Sequence, residues 1–250
     1  MSVHAKSMFA QSIAAVCDGI IRPREWMRLG KSFARLPVEY RASRAWAKIP
    51  AVDFAACFPE FEGEIRSGAS QLRRHGWNVK LHEEIYLSAI VRAIKASNIF
   101  EIGTFDGNTT RCLAESTPAD AKVYTIDLPE EAFNATQSPD AFKGSQVGER
   151  YRNSPAAGKI HQLRADATTF DFSPYFGQMD FVFVDAAHDY PHGLADSRNA
   201  LKLVRPGGVI VWHDFEPYWC GLVHAICEVC SGMPLRRLAG TSMAVLRQPN

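Results

Sequence analysis

Asp185, His188, His213 and Asp214 are the residues of this 250-residue chain whose types and spacing could do chemistry. Carboxylates are hard oxygen donors that suit Mg²⁺, and an added imidazole tilts the preference toward Mn²⁺, Fe²⁺ or Zn²⁺. A cation held by Asp185, Asp214 and His213 would lower the pKa of a bound hydroxyl and orient it for attack. Imidazoles titrate near neutrality, so a histidine beside such a site can take the released proton. The competing reading is structural, with Asp185 capping the turn before Pro191 and His213 packing against Trp212.

Both acids follow apolar runs. Phe181-Val-Phe-Val184 leads into Asp185, and Val209-Ile-Val-Trp212 leads into His213-Asp214 after the turn Arg205-Pro-Gly-Gly208. Near-continuous apolar runs of this length predict strands of a parallel sheet covered on both faces. Similar β-rich runs lie at Asn98–Ile102, Lys122–Ile126 and Ile160–Leu163, with helix-compatible segments between most of them. One of these, Glu83–Ser97, carries Ile85, Ala89, Ile90, Ala93 and Ile94 at helical period. Leu235–Leu238 and Met243–Arg247, around Ala239-Gly-Thr-Ser242, predict an antiparallel hairpin. The expected fold is therefore α/β, a mostly parallel sheet of seven strands ending in that hairpin and flanked by helices. In such sheets ligands bind in the crevice outside the carboxyl ends of the strands.

Glu101-Ile-Gly-Thr-Phe-Asp-Gly-Asn-Thr109 stands at the first strand-to-helix turn. Gly103 and Gly107 let the backbone turn sharply and approach a ligand without a Cβ in the way. Phe105 occupies the place where a dinucleotide G-x-G-x-x-G would need glycine, and no Gly-Lys-Ser/Thr follows, so neither phosphate-binding pattern fits. The next strand ends in Asp127, placed to accept hydrogen bonds from two ribose hydroxyls, with Leu128 after it. Asp166-Ala167 follows the third strand, where the acid could meet an adenine amino group.

On these residues the chain resembles class I S-adenosylmethionine (SAM)-dependent methyltransferases, and within them the small-molecule O-methyltransferases that use a divalent metal. Glu101-x-Gly103-x-x-x-Gly107 is similar to that family's E-x-G-x-x-x-G loop, in the variant with an aromatic at the middle glycine found in catechol O-methyltransferases. Val123–Asp127 is similar to the acidic second motif. The resemblance covers about residues 80–247. It implies a SAM site made by Glu101, Gly103, Thr104, Phe105, Gly107, Asn108, Thr109, Asp127, Leu128, Asp166, Ala167 and Asp185, with Mg²⁺ or another divalent cation beside it. It also implies His188 as the base, since related families carry a lysine or a D-x-x-H histidine there, with Asp185 the other catalytic residue. One departure stands out. Catechol-type enzymes have Asp-Asn where this chain has His213-Asp214, so one ligand is lost or replaced by nitrogen.

Residues 1–75 differ in character and are expected to form a helical extension to a methyltransferase domain at 76–250. Helix-like patches at Met8–Ile21, Glu25–Leu36 and Phe54–His75 are broken by prolines, and eight basic residues fall between Arg22 and Lys48. That cluster reads as a solvated face, a lid, or a contact between copies of the chain. A second insert, residues 129–158, offers Phe133, Phe142, Arg150, Tyr151 and Arg152 as lid residues. The aromatics Trp212, Phe215, Tyr218 and Trp219 either line a pocket or fill the core.

The formal charge of +1 gives no field favouring nucleic acid or an anionic membrane, and no run approaches the ~20 apolar residues of a membrane span. Without an export signal, the six cysteines read as reduced thiols in a cytoplasmic protein. Cys220, His224, Cys227 and Cys230 fall along one helix, whereas a tetrahedral zinc normally needs a turn or second element around it, so a buried small-residue stripe is expected. The expected function is methyl transfer from SAM to a hydroxyl of a sugar or natural-product type. The alternatives are metal-independent N- or O-methylation, or SAM binding without catalysis.

Overall fold

The computed structural model describes residues 37–61, 76–136 and 142–250. The expected helices at Met8–Ile21 and Glu25–Leu36 lie outside the described residues, as does most of Phe54–His75. The sheet has eight strands: β1 (Ala51–Val52), β2 (Asn98–Ile102), β3 (Lys122–Asp127), β4 (Ile160–Arg164), β5 (Met179–Val184), β6 (Val204–Trp212), β7 (Arg236–Leu238) and β8 (Ala244–Arg247). Their order is β1-β7-β8-β6-β5-β2-β3-β4. Strands β4, β3, β2, β5 and β6 are mutually parallel, and β8 runs antiparallel to both β6 and β7.

The mostly parallel sheet with its terminal hairpin is the architecture expected, with one strand more than the seven predicted. The addition is β1, which pairs parallel with β7 (Ala51 with Arg237, Val52 with Leu238). Two residues carry no readable alternation, so no sequence pattern marks this strand.

Alternation within the strands divides the core in two. Phe100, Ile102, Val182, Val184, Ile210 and Trp212 point to one face and pack with Ala200, Leu203, Leu222, Val223 and Ile226. Ile99, Phe181, Phe183, Val209 and Val211 point to the other, against Leu87, Ile90, Val91 and Leu113. A period of two sends neighbours to opposite faces, and helices cover both. The covering helices include α1 (residues 37–48), α2 (Phe54–Cys57), α3 (Leu81–Ala93), α4 (Asn108–Glu115), α5 (Glu130–Thr136), α6 (Glu149–Arg152), α7 (Tyr190–Leu203) and α8 (Cys220–Val229). Trp212 is fully buried and donates its Nε1–H to Ser197 Oγ at 3.1 Å, so the indole's polar edge is satisfied.

Strand order reverses between β2 and β5. From β2 the chain builds outward through β3 and β4, then returns to lay β5 and β6 on the other side. The carboxyl ends of β2 and β5 thereby open a crevice at the switch point. Helix α1 reaches this rim: Trp46 Nε1 donates to the Phe215 carbonyl at 2.7 Å, and the Arg237 guanidinium lies 3.6 Å from the Trp46 ring centroid.

Candidate active site

The turn after β2 is held mainly by backbone contacts. Gly103 has φ +100°, and a Cβ there would lie 2.0 Å from the Asp185 carbonyl oxygen, so only glycine permits β2 and β5 to close together. Thr104 and Phe105 donate their N–H groups to Asp127 Oδ2 at 3.0 and 2.8 Å, and Leu128 N donates to Oδ1 at 2.8 Å. Burial raises the Asp127 pKa although these three bonds and Arg164 oppose it. Phe105 adopts φ +48°, a conformation rare for a bulky residue and found where surroundings enforce it. Gly107 (φ +82°) then opens α4, where Asn108 reaches Glu84, and Thr109 is buried.

Glu101 is wholly buried on β2, accepting from Thr110 Oγ1 and from Thr125 Oγ1 at 2.6 Å. Burial pushes its carboxyl up to about 8 against those bonds, with Asp185 and Asp127 adding to the rise. Its Oε1 finds no hydrogen-bond partner among the described residues.

The insert after β3 closes on this turn. Phe142 packs on Phe105 with centroids 4.3 Å apart, and Phe133, Phe142 and Val147 form a small cluster against Phe105 and Leu128. Arg150 Nε meets Asp106 Oδ2 at 2.5 Å. The Tyr151 ring lies so close to Gly107 that a Cβ there would stand 2.6 Å from it. Arg152 donates instead to the Val147 carbonyl, at 2.7 Å, and so ties the insert to itself. Asp166 is exposed beyond β4; its carboxylate accepts from Thr168 N and Oγ1, which hold it below the usual carboxylate range. Asp166-Ala167 still adjoins Asp127, since Ala165 N donates to the Asp127 carbonyl at 3.0 Å.

Across the crevice, side chains build the rim. Asp185 ends β5, Asp214 follows β6, and His188 lies in the turn before α7. One ligand atom from each of the three can lie within 4.8 Å of the others. Two carboxylates and an imidazole at that spacing are a donor set suited to a divalent cation. His188 Nε2 sits 2.8 Å from Asp214 Oδ2, and the imidazole stacks on Trp219 with centroids 4.0 Å apart. Asp214 has φ +54°, where Asp is tolerated better than most residues, and its carboxyl is held well below the usual range. Burial opposes that lowering, and the bond from His188 together with the nearby His213 ring overcomes it.

His213, expected as a metal ligand, is not in this three-donor group. It is buried beneath the pair, with Nε2 3.1 Å from Glu83 Oε2. Its Nδ1 lies 3.2 Å from Asp185 Oδ1 and 3.5 Å from Asp214 Oδ2, without the alignment of a hydrogen bond to either. Burial disfavours a charged ring, but the facing carboxylates prevail and push the imidazole up to about 12. Among the described residues, His188 supplies the nitrogen of the three-donor group.

Sequence reasoning missed Glu83, Ser242 and the stacking role of Trp219. The aromatic cluster divides: Trp212 and Phe215 are core, Tyr218 is exposed, and Trp219 supports His188. Cys220, His224, Cys227 and Cys230 form no three-donor group among the described residues, and burial pushes the Cys227 and Cys230 thiols up to about 11 and about 12.

Comparison with known proteins places this geometry. A family described as "Methyltransferase domain" matches residues 100–215. Caffeoyl-CoA O-methyltransferase 2 of Petunia hybrida is 28% identical over 155 residues, 61% of this chain and 60% of that protein. Its Populus trichocarpa namesake is 27% identical over 182 residues, 72% of this chain and 67% of that protein. The chain thus spans about three fifths of the Petunia relative's length. An O-methyltransferase of Bacillus cereus solved with SAH superposes with TM-score 0.53 at 17% identity, covering 85% of this chain and 91% of that one. One from Streptomyces achromogenes, solved with SAM, gives 0.53 at 20% identity over 92% and 100%. Residues 100–215 thus match a methyltransferase-domain family, and the chain shares the fold of these O-methyltransferase structures.

Proposed function

We propose that this chain transfers a methyl group from SAM to a hydroxyl of a small molecule of the sugar or natural-product type. The single observation that carries this reading is the Asp185–His188–Asp214 group, which stands across one crevice from the Gly103–Gly107 turn. The turn fits a nucleoside with no phosphate. It offers the Asp127 carboxylate at the strand end, Asp166 beyond β4, and a buried Glu101 oxygen still lacking a donor. Thr104, Phe105, Asn108, Thr109, Leu128 and Ala167 would form the backbone and walls around it.

In the transfer, an oxygen lone pair of the acceptor attacks the methyl carbon and the carbon–sulfur bond breaks, its electron pair going to sulfur. The hydroxyl proton must leave. With Nε2–H donated to Asp214, His188 Nδ1 carries the lone pair that takes it. Trp219 fixes the ring plane by stacking. A divalent cation would be held by Asp185, Asp214 and His188, and would supply the Lewis acidity that makes the hydroxyl a better nucleophile.

His188 Nε2 cannot both bond Asp214 and ligate a cation. The 2.8 Å bond favours a second, metal-independent reading in which His188 works only as the base. One experiment decides between them: purified chain, SAM and a panel of hydroxylated acceptors beginning with caffeoyl-CoA, with and without chelator. Methylated product that vanishes on chelation and returns with Mg²⁺ or Mn²⁺ supports the cation. Product indifferent to chelation leaves His188 as base alone, and failure to bind SAH by calorimetry removes the proposal altogether.

Plant relatives named for caffeoyl-CoA support a small-molecule acceptor. No described helix is long and apolar enough to cross a membrane, and Cys57, Cys112, Cys220, Cys227 and Cys230 are free thiols, which supports a cytoplasmic setting. The N-terminal segment remains our proposed contact between copies or lid, with residues 1–75 taken as an extension to the domain. Sedimentation of the chain with and without that segment tests the first role.

A further inference from the structure

Glu83 has no direct place in methyl transfer, yet few side chains are tied as completely. It is fully buried, and its oxygens accept four hydrogen bonds. Oε1 takes Ser242 N at 2.7 Å and Ser242 Oγ at 2.9 Å; Oε2 takes His213 Nε2 at 3.1 Å and Lys80 N at 3.2 Å. Four acceptor sites are all that a carboxylate has, so Glu83 is saturated within the protein and has nothing left for a ligand. Its partners join the start of α3, the hairpin turn before β8, and the end of β6.

The far side of the His213 ring is where the consequence falls. Nδ1 stands between Asp185 and Asp214, which come from different strands and would otherwise repel each other. A ring pinned on one edge by Glu83 holds its other edge fixed between the two acids. Displacing a catalytic group by about 1 Å can lower a rate on the order of 10²-fold, so such pinning matters to the chemistry.

We propose that Glu83 and Ser242 are positioning residues for the active site, acting through His213 to set where the Asp185 and Asp214 carboxylates stand. The inference rests on the function proposed above. Glu83→Gln is the direct test, because a carboxamide has one acceptor oxygen and cannot serve both Ser242 and His213. In the full chain, it should lower kcat about tenfold or more while leaving SAH affinity within about twofold. The imidazole N–H resonances of His213, shielded from solvent in the parent, should shift or be lost to exchange. Ser242→Ala, which removes the hydroxyl and keeps the backbone donor, should show the same pattern at about two- to fivefold in kcat.

A folded Glu83→Gln chain with unchanged kcat and unchanged His213 resonances overturns the proposal, even if its Tm has fallen. Should Glu83→Gln not fold, Ser242→Ala decides by the same two measurements. If the parent neither binds SAH nor methylates, the function has failed instead, and the His213 resonances alone then decide the relay.

Discussion

At the ends of β2 and β3 the crevice is made chiefly of backbone, whereas at the ends of β5 and β6 it is made of side chains. On the first rim, Thr104, Phe105 and Leu128 turn their N–H groups onto one carboxylate, and glycines let strands approach. On the second, Glu83, His213, Asp185, Asp214 and His188 adjoin one another side chain to side chain. A backbone site tolerates change in most of its side chains and almost none at its glycines. The side-chain site distributes its vulnerability along the whole chain of contacts.

Substitutions can break that contrast. Gly103→Ala should have the largest effect: the added Cβ would meet the Asp185 carbonyl at 2.0 Å, and φ +100° disfavours any L side chain. SAH binding should fall below detection in calorimetry, and binding within threefold of the parent would show that the rims need not close. His188→Ala should lower kcat by about 10²- to 10⁴-fold with SAH affinity retained, as expected of a lost general base. An unchanged kcat would remove His188 from the chemistry. Asp127→Ala removes the acceptor of three backbone N–H groups and should weaken SAH binding by about tenfold to a hundredfold, while kcat at saturation changes less.

Buried acids sharpen the comparison. Burial by itself would raise Glu83, but His213 and Ser242 hold it down at about 2. Asp196, on α7, is 3% exposed, has an Oδ1 with no partner among the described residues, and is pushed up to about 7 by burial, with Asp166 and Asp189 adding. The folded chain therefore keeps the Asp196 proton over a range in which the unfolded chain has released it. Its contribution is whole below about pH 4 and is lost as pH rises toward 7, at about 1.4 kcal/mol per pH unit. Asp196→Asn should flatten the fall in Tm between about pH 4 and pH 7, and an equally steep fall in the variant would show that another group is responsible. Smallest of all, Trp46→Phe should cost about 1 kcal/mol in urea unfolding by losing the bond to the Phe215 carbonyl.

The two rims also differ in how far they could be read in advance. Gly103, Gly107 and Asp127 lie close together along the chain, and each has a type that its backbone position demands, so spacing alone announces them. Strands β2 to β8 were legible for the same reason, as apolar runs between turns. Asp185, His188 and Asp214 were visible as polar residues closing such runs. Glu83 was not, because nothing local distinguishes a buried acid at a helix start from a solvated one beside it. Its partners His213 and Ser242 stand 130 and 159 residues away. The surroundings of His213 were hidden for the same reason: adjacency to Asp214 is local, and only the fold reveals Glu83 behind the ring. Strand β1 escaped notice because two residues have no period.

The pairing of β1 with β7 bears on when the molecule can become functional. Ribosomal synthesis delivers the central parallel strands well before Arg236–Arg247, yet both the outer border of the sheet and the seat of Glu83 depend on that late segment. Contacts so distant in sequence close slowly, since chain entropy must be surrendered first. Until that segment is made, both halves of the core lack residues (Ala244 and Leu246 in one, Met243 and Val245 in the other), and Glu83 lacks Ser242. The contacts behind Asp185 and Asp214 are therefore among the last that synthesis can complete.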